Sequence, residues 1–322
     1  MRRTRRTIAI TAAVALAVAG LAAGCGGSSS SSSTGGTEPS AANLTATPNI
    51  NVKLDKKVAA EVPSSIKSNG TLTVAADATY APNEFIASNG HTIIGMDADL
   101  AKALAQAMGL SADVKNVTFD SILPGLAAKK YDLGMSSFTI TKEREKTVDF
   151  VSYATAGTSF FVNAQGGPNI KSLADLCGHS VAAERGTTQA ADATAQNKKC
   201  TKAGKSGVKL NVYPDENGVN LALSSGRADV GMADSPPAAY AVDQSNGQFK
   251  ISGRQYGVAA YGIAMPKNSG LAKPVLGALK DVMADGTYKR IFSYWGLVKH
   301  GASGCPCTIT NPQINPTNVP AS

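Results

Sequence analysis

The sequence predicts an α/β fold with mostly parallel sheets, and three observations predict it. Strand-like and helix-like patterns alternate from Thr71 to Met232, and a βαβα order sets parallel strands side by side with helices on their faces. One frame occurs twice, as LAAKKYDLGMSS from Leu126 and LSSGRADVGMAD from Leu223. Both copies share a Leu, then Asp132 or Asp229, Gly134 or Gly231, and Met135 or Met232, and both read as helix end, turn and buried strand. Of 322 residues, 43% are hydrophobic, enough for a sizeable core in one or two domains.

Taken in order, Thr71–Ala75 alternates apolar and β-branched residues as a strand does, and it runs into Asp77, Tyr80 and Pro82. Gly95-Met96-Asp97 opens a helix with Leu100, Leu104 and Met108 on one face and Gly109 as its stop. A strand near Asp113–Val117 leads to Phe119 and a short helix over Asp120–Lys129. Leu133 and Met135 are the apolar positions of the next strand. Further on, Val181–Ala183, Leu210–Tyr213 and Asp229–Met232 read as strands. Between them, Thr187–Asn197 and Gly218–Ser225 read as helices. The C-terminal part is helical over Leu271–Ala284 and Thr287–Trp295, and beyond Lys299 a tail rich in Pro and Asn reads as loose.

The stretch Tyr131–Phe150 concentrates the chemistry. Ser136, Ser137 and Thr139 crowd hydroxyls at a strand end, Thr141 suits the N-cap of a following helix, and Arg144 comes three residues later. Arginine offers a planar fork of donors, so with hydroxyls beside it the group suits a carboxylate. The alternative is a surface helix whose Arg144 pairs with Glu143 or Glu145. If the repeated frame marks two similar units, Ser137 and Asp234 hold matching positions just past two strand ends, where open α/β sheets bind ligands. The same frame is also a common way to enter any buried strand. Arg144 on one wall and Asp234 on the other would match the two charges of an amino-acid zwitterion.

Charge and cysteine usage bound the class. Residues 1–24 join a basic start, an apolar run from Ile8 to Leu21 and small residues before Cys25, the three parts of a signal peptide. The run is too short for a good membrane span. Without its four arginines the net charge of +8 falls to +4, with no basic block, so no nucleic-acid partner is expected. Leu21-Ala22-Ala23-Gly24-Cys25 resembles a bacterial lipobox, which implies cleavage before Cys25, lipidation there and a lipid anchor. Residues 25–51, rich in Gly, Ser and Thr, read as a flexible tether. Four cysteines remain, Cys177, Cys200, Cys305 and Cys307, and an even number suits disulfides outside the cell. Cys177–Cys200 is the preferred pair. Cys305-Pro306-Cys307 forms a local bridge, stays reduced or binds metal; no His stands at metal spacing to it, so no metal or cofactor is expected.

From about Gly70 to Gly296 the chain resembles the polar amino-acid solute-binding proteins of bacterial ABC importers. GTLTVAADATYAP, NGHTIIGMDADLAKALAQAMG, FDSILPGLAAKKYDLGMSSFTITKEREKTVDF, SLADLCGHSVAAERGTTQ, LSSGRADVGMADSPPAAYA and ADGTYKRIFSYWG stand in the family's order and spacing. The resemblance implies the two-lobed type II periplasmic-binding fold. Lobe I would take residues 52–156 and 260–300, lobe II residues 157–259, with a tail from 301 to 322. Hinge strands would cross near Ala154–Ser159 and Gly257–Gly262. It also implies roles. Arg144 clamps a ligand α-carboxylate with Ser137 and Thr139. Thr188, in RGTTQ with Thr187, adds a contact at a helix N-terminus. Asp234 holds the α-ammonium, Tyr80 and Phe119 flank the side chain, Ser136 belongs to the same hydroxyl group, and Asp77 reads the side chain.

The chain departs from the family at Ala81, where many relatives have Pro, and at Glu184, where several carry an apolar residue. Two acids, Asp77 and Glu184, favour a basic ligand. Glu184 reads equally well as a solvent-facing partner of Arg185, and an acid at position 77 also serves glutamine binders. The implied partners are an amino acid, a permease with its ATPase, and the membrane; the implied state is a monomer on the outer face of the cell membrane. An enzyme on the same scaffold, such as a cyclohexadienyl dehydratase, and a ligand sensor are the rival classes. His91, His179 and His300 form no set with a nucleophile or metal ligands. Gly204-Lys205-Ser206 is no phosphate loop, because Lys199 stands where the motif needs its first Gly.

Overall fold

Strand–helix alternation builds one sheet from both halves of the chain. The computed structural model describes residues 47–298 and 307–321; the signal-peptide and Cys25 assignments, most of the tether and Cys305 lie outside the described residues. The elements are two helices, Lys56–Glu61 (α1) and Ser64–Asn69 (α2); Thr71–Ala76 (β1); three short strands, Thr79–Tyr80 (β2), Glu84–Ile86 (β3) and Ile93–Ile94 (β4); Met96–Ala107 (α3); Ser111–Asn116 (β5); Phe119–Ala127 (α4); and Leu133–Thr139 (β6). After a long strand, Val148–Asn163 (β7), come Ser180–Glu184 (β8), Thr188–Lys202 (α5), Lys209–Tyr213 (β9), Glu216–Ser224 (α6), Val230–Asp234 (β10) and Ser235–Gln244 (α7). A second long strand, Phe249–Pro266 (β11), leads to Ala272–Ala284 (α8) and Thr287–Tyr294 (α9).

The main sheet has the order β5-β1-β6-β11-β7-β10-β8-β9, and β2, β3 and β4 form a separate small sheet. In one lobe β1 lies parallel between β5 and β6, with Thr71 opposite Ser111 and Val74 opposite Leu133. In the other, β8 lies parallel between β10 and β9. The long strands β7 and β11 join them: they pair antiparallel from Phe249↔Asn163 to Pro266↔Val148. Their pairing shifts register between Ser252 and Tyr256, between Tyr256 and Ala259 and between Tyr261 and Gly262. Bulged pairing breaks the regular ladder where the chain crosses between lobes.

Each lobe has its own core. Leu72, Val74, Leu100, Leu104, Leu133 and Phe292 are fully buried in one, and Phe160, Val162, Leu176, Val181 and Val230 in the other. Each such side chain contributes about 1.5–3 kcal/mol by leaving water. A disulfide joins Cys177 to Cys200 across 23 residues, a closure worth about 3 kcal/mol in the loop-entropy account. It ties the approach to β8 to the end of α5. Among the described residues no helix is long and apolar enough to cross a membrane.

Three readings of the sequence need correction. No helix follows Thr141; the chain makes one 3-10 turn, Arg144–Lys146, and enters β7. Ser137 lies inside β6 and Asp234 is the last residue of β10, so neither stands past its strand end. The described part of the C-terminal segment, residues 307–321, is not loose. Residues 307–321 run antiparallel along β7, with Ala154 opposite Thr308 and Val151 opposite Ile314, because the edge of β7 beside residues 150–155 has polar backbone groups that require partners. Cys307 is buried and disulfide-bonded.

Candidate functional site

Strand ends from the two lobes line a narrow cleft, and all eleven ligand-contact residues singled out from the sequence line it, together with Gln189. One wall is the bulged end of β6. Gly134 pairs with Ala264 and Phe138 with Gly262, so Met135, Ser136 and Ser137 lie opposite Ile263 alone. Ser137 consequently takes a left-handed φ of 52°, a conformation that needs support from its surroundings. Asp97 supplies it: its Oδ2 accepts the Ser137 N–H at 2.8 Å and the Ser137 hydroxyl at 3.3 Å. Ser136 donates to Glu84 Oε1 at 2.7 Å and accepts from the Asp77 N–H at 2.9 Å.

Glu84 and Asp97 are fully buried, and among the described residues Glu84 Oε2 and Asp97 Oδ1 have no hydrogen-bond partner. Burial, then the charge of Asp97, pushes the Glu84 carboxyl well above the usual range. Asp97 is pushed up to about 6, also by burial first. Two carboxyls in this setting retain a proton.

Arg144 sits at the lip of the same wall. Its Nη1 donates to Thr139 O at 2.8 Å and its Nη2 to Gly186 O, on the opposite wall, at 3.0 Å. The guanidinium carbon lies 5.4 Å from the Phe119 ring centre and 5.5 Å from that of Phe138. The pairing with Glu143 or Glu145 weighed from the sequence does not form; Glu143 pairs with Lys146. Burial lowers the Arg144 pKa to about 10, against the charge of Asp234. The guanidinium stays charged, and its bonds to neutral carbonyls leave that charge for an incoming anion.

The facing wall is built by β8, β10 and the start of α5. Thr187 caps α5, accepting from Ala190 N–H at 3.2 Å and donating to Glu184 O at 2.7 Å. The first N–H groups of a helix have no intrahelical acceptor, and Thr188 and Gln189 bring this turn to the cleft. Asp234 is the N-cap of α7 but makes no capping bond. A capping side chain bonds the second or third N–H of its helix, and those positions are Pro236 and Pro237, which have none. The carboxylate turns instead to Gln189 Nε2 at 2.7 Å and the Tyr261 hydroxyl at 2.7 Å. Burial pushes it up to about 6.

A group of acids closes the far end. Asp77 accepts from the Thr79 hydroxyl at 2.7 Å and from Phe119 N–H at 2.9 Å. Glu184 is 3% exposed, and its Oε1 has no hydrogen-bond partner among the described residues. It does not pair with Arg185, which lies 3.8 Å from Asp120. Just behind, Glu216 is buried, and neither of its carboxylate oxygens is hydrogen-bonded among the described residues. Burial, then the neighbouring acids, raises Glu184 and Glu216 well above the usual range. Tyr80 closes across the lobes, its hydroxyl accepting from Asp234 N–H at 2.8 Å.

Sequence reasoning did not single out Gln189, Glu84, Asp97 or Glu216. Gln189 ends the RGTTQ motif, and Asp234-Ser235-Pro236-Pro237 is a legible sign of a carboxylate denied its cap. A fixed cation and anion on opposite walls, with surplus acid beyond them, can hold a small molecule bearing one anionic and two cationic groups.

Residues 72–298 match the family model of bacterial extracellular solute-binding proteins, family 3. The chain is 33% identical over 242 residues to the arginine-binding protein ArgT of Corynebacterium glutamicum, covering 75% of this chain and 79% of that one. It is similar to the solved structure of an ancestral arginine-binding protein bound to arginine, at 37% identity and a TM-score of 0.64, covering 70% of this chain and 98% of the other. It is also similar to the ancestral amino acid-binding protein AncCDT-1, described as a precursor of cyclohexadienyl dehydratase, at 34% identity and a TM-score of 0.65, covering 72% and 97%.

Proposed function

This chain belongs to the bacterial extracellular solute-binding proteins, family 3, and from that premise we propose that it captures a basic L-amino acid, arginine foremost, and delivers it to the permease of an ABC importer. One observation carries the choice of ligand. An α-carboxylate answers Arg144 and an α-ammonium answers Asp234, yet Asp77 and Glu184 remain, each 3% exposed. Buried carboxylates need a cation or a proton, and a guanidinium or ammonium at the end of the side chain supplies the cation. The arginine-binding relatives support this reading.

In this reading Arg144, assisted by Ser137, Thr139 and the α5 N-terminus at Thr188, holds the carboxylate. Tyr80 and Phe119 flank the aliphatic stem, and Asp77 and Glu184 receive its charged end. Ser136 supports the floor of the site from behind. Ligand contacts on both walls favour the closed arrangement, because a ligand shifts a conformational equilibrium only by its differential affinity.

The chain acts here as a binding protein, not an enzyme, and turnover of a cyclohexadienyl acid would overturn that part. It works as a monomer anchored through a lipid on Cys25 at the outer face of the membrane. Mass spectrometry of the native N-terminus tests the anchor, and an unmodified Cys25 removes it.

The decisive experiment is calorimetry with arginine, lysine, ornithine, glutamine and citrulline, the last an uncharged near-isostere of arginine. Arginine should bind tighter than citrulline by roughly a hundredfold, as a desolvated charge pair gives. Glu184→Gln should cut that ratio by about tenfold, one carboxylate's share. Equal affinity for citrulline and arginine would overturn the basic-ligand reading, and binding of none of the five would overturn amino-acid binding.

A further inference from the structure

The turn that carries Arg144 is not self-supporting. Within it, Arg144 N–H donates to Thr141 Oγ1 at 3.2 Å and Glu145 N–H to Thr141 O at 2.9 Å. Lys146 and Thr147 N–H groups bond back to Glu143 and Arg144 carbonyls at 3.2 and 3.0 Å. The Lys142 and Glu143 N–H groups bond outside the turn, to the carbonyls of Pro320 at 3.0 Å and Ala321 at 3.3 Å. These acceptors come from the far end of the chain, beyond residue 298 where the family match stops.

The path of that end is bonded at successive points. Cys307 N–H donates to Leu297 O at 3.2 Å, and Cys307 O accepts Thr155 N–H at 2.9 Å. Ser152 and Gln313 are joined twice, backbone to backbone at 2.9 Å and through the Ser152 hydroxyl at 2.8 Å. Asn315 brackets Phe150, its Oδ1 accepting Phe150 N–H at 2.7 Å and its own N–H donating to Phe150 O at 2.9 Å. Val319 then packs on the cluster of Phe119, Ile122, Phe138, Ile140 and Phe150. Phe119 and Phe138 are the two rings beneath the Arg144 guanidinium. The last residues therefore meet the clamp twice, at the backbone of its turn and at the aromatic bed beneath its charge.

We propose that residues 307–321 form a positioning strap, laid along β7 and ending on the Arg144 turn, that holds the guanidinium in place for the ligand carboxylate. Arg144 touches the ligand and the strap acts through it. The proposal rests on the reading of the cleft as an amino-acid site. The geometry of the strap itself does not.

The test compares the full chain with a chain ending at Asn315, which keeps the β7 contacts and loses the two carbonyls and Val319. Two readouts are taken: amide exchange at Lys142 and Glu143, and calorimetry with L-arginine. Removing residues 316–322 should speed exchange at those two amides more than about tenfold, the value of about one backbone hydrogen bond, and weaken arginine binding by roughly tenfold. In an Arg144→Lys background the same truncation should change affinity less than about twofold, since coupled groups are non-additive. A tail that merely stabilises the fold would act equally in both backgrounds.

Unchanged exchange at Lys142 and Glu143 overturns the strap. Faster exchange with arginine affinity unchanged overturns its role in binding. An equal loss in the Arg144→Lys background overturns its action through Arg144. If the shortened chain does not fold, Val319→Asp in the full-length chain releases the same end and is judged by the same readouts. If the full chain binds no amino acid, the reading of the cleft fails separately, and the exchange measurement still decides whether the strap holds the turn.

Discussion

Leu126–Ser137 and Leu223–Asp234 enter the cleft by the same frame and deliver opposite chemistry. In both, a helix end and an aspartate turn lead into a buried strand. Gly134 lets Ile122 approach in the first copy, and Gly231 lets the Phe161 ring lie against the backbone in the second, where an added Cβ would stand 2.4 Å from it. From there they diverge. The first strand bulges, turns Ser137 to φ 52° and rests it on a buried carboxyl. The second ends on Asp234, whose following helix has prolines at the two positions a capping side chain bonds. One wall thus presents hydroxyls beside the Arg144 guanidinium and the other presents a carboxylate, which in the proposed function take an anion and a cation. The difference teaches that a repeated strand entry sets where a functional group stands, while the two or three residues after it set its sign.

Removing the cation gives the largest effect. Arg144→Ala should cost about 3 kcal/mol of arginine affinity, roughly a hundredfold, since it leaves a carboxylate without its charged partner. The melting temperature should move little, because the side chain bonds only the carbonyls of Thr139 and Gly186 and its charge is a minor cause beside burial in setting Asp234. Calorimetry beside thermal melting checks both, and an unchanged dissociation constant would take Arg144 out of the site.

Acid should weaken the opposite wall. Asp234 must be ionised to hold an ammonium, and its pKa is pushed from 3.8 up to about 6. Binding therefore releases a proton below about pH 6, and affinity should fall by up to roughly tenfold per unit as pH drops below that value. The same shift has the reverse sign for the unliganded fold. A raised folded-state pKa stabilises fully below 3.8, and that contribution is lost as pH rises through about 6. Titrations at pH 5, 6 and 7 check the first statement, and a flat profile counts against Asp234 as the ammonium partner.

The smallest effect sharpens the comparison most. Pro236→Ala with Pro237→Ala restores two N–H groups at the start of α7 and lets Asp234 cap its helix. Stability should stay level or rise by up to about 1 kcal/mol, the worth of a good N-cap. Arginine affinity should drop by roughly threefold to tenfold as the carboxylate divides its bonds. A tighter complex would show that the prolines do not hold Asp234 for the ligand.

Much of this was legible in sequence because it is local. The helix at Met96–Ala107 declares itself through Leu100 and Leu104 on one face, and the strands through short apolar runs. Asp77, Glu184 and Asp234 each stand at or near the end of such a strand, so their convergence follows from topology. Tertiary pairing hid the rest. Val148–Asn163 and Phe249–Pro266 were legible only as the hinge crossings that the resemblance implies near Ala154–Ser159 and Gly257–Gly262, and their full lengths depend on pairing with each other. Glu84 and Asp97 resemble ordinary loop and helix-start acids until the fold buries both beneath Ser136 and Ser137. The tail misleads for a related reason: its Pro and Asn content forbids a regular strand, yet single residues suffice to satisfy the exposed edge of β7. The turn at Arg144 has helix-like residues but too few positions before Val148 to complete one.

The acid-rich end of the cleft also bears on how a ligand arrives. The chain as a whole is positively charged, at +8, or +4 without the arginines of residues 1–24, while Asp77, Glu184, Glu216 and Asp234 gather at one point inside it. A cationic solute far from the surface meets a weakly repelling body, and only within about 10 Å of the mouth, the Debye length at 0.1 M salt, does it meet the carboxylates of the cleft; Glu184 and Glu216, raised well above the usual range by burial, give up their protons only as a cation comes to rest beside them. Dissolved ions screen the outer field more than the recessed one. The encounter rate of such a solute is therefore governed by the short final approach, and it is sheltered from swings in ionic strength that would slow capture by a uniformly acidic surface.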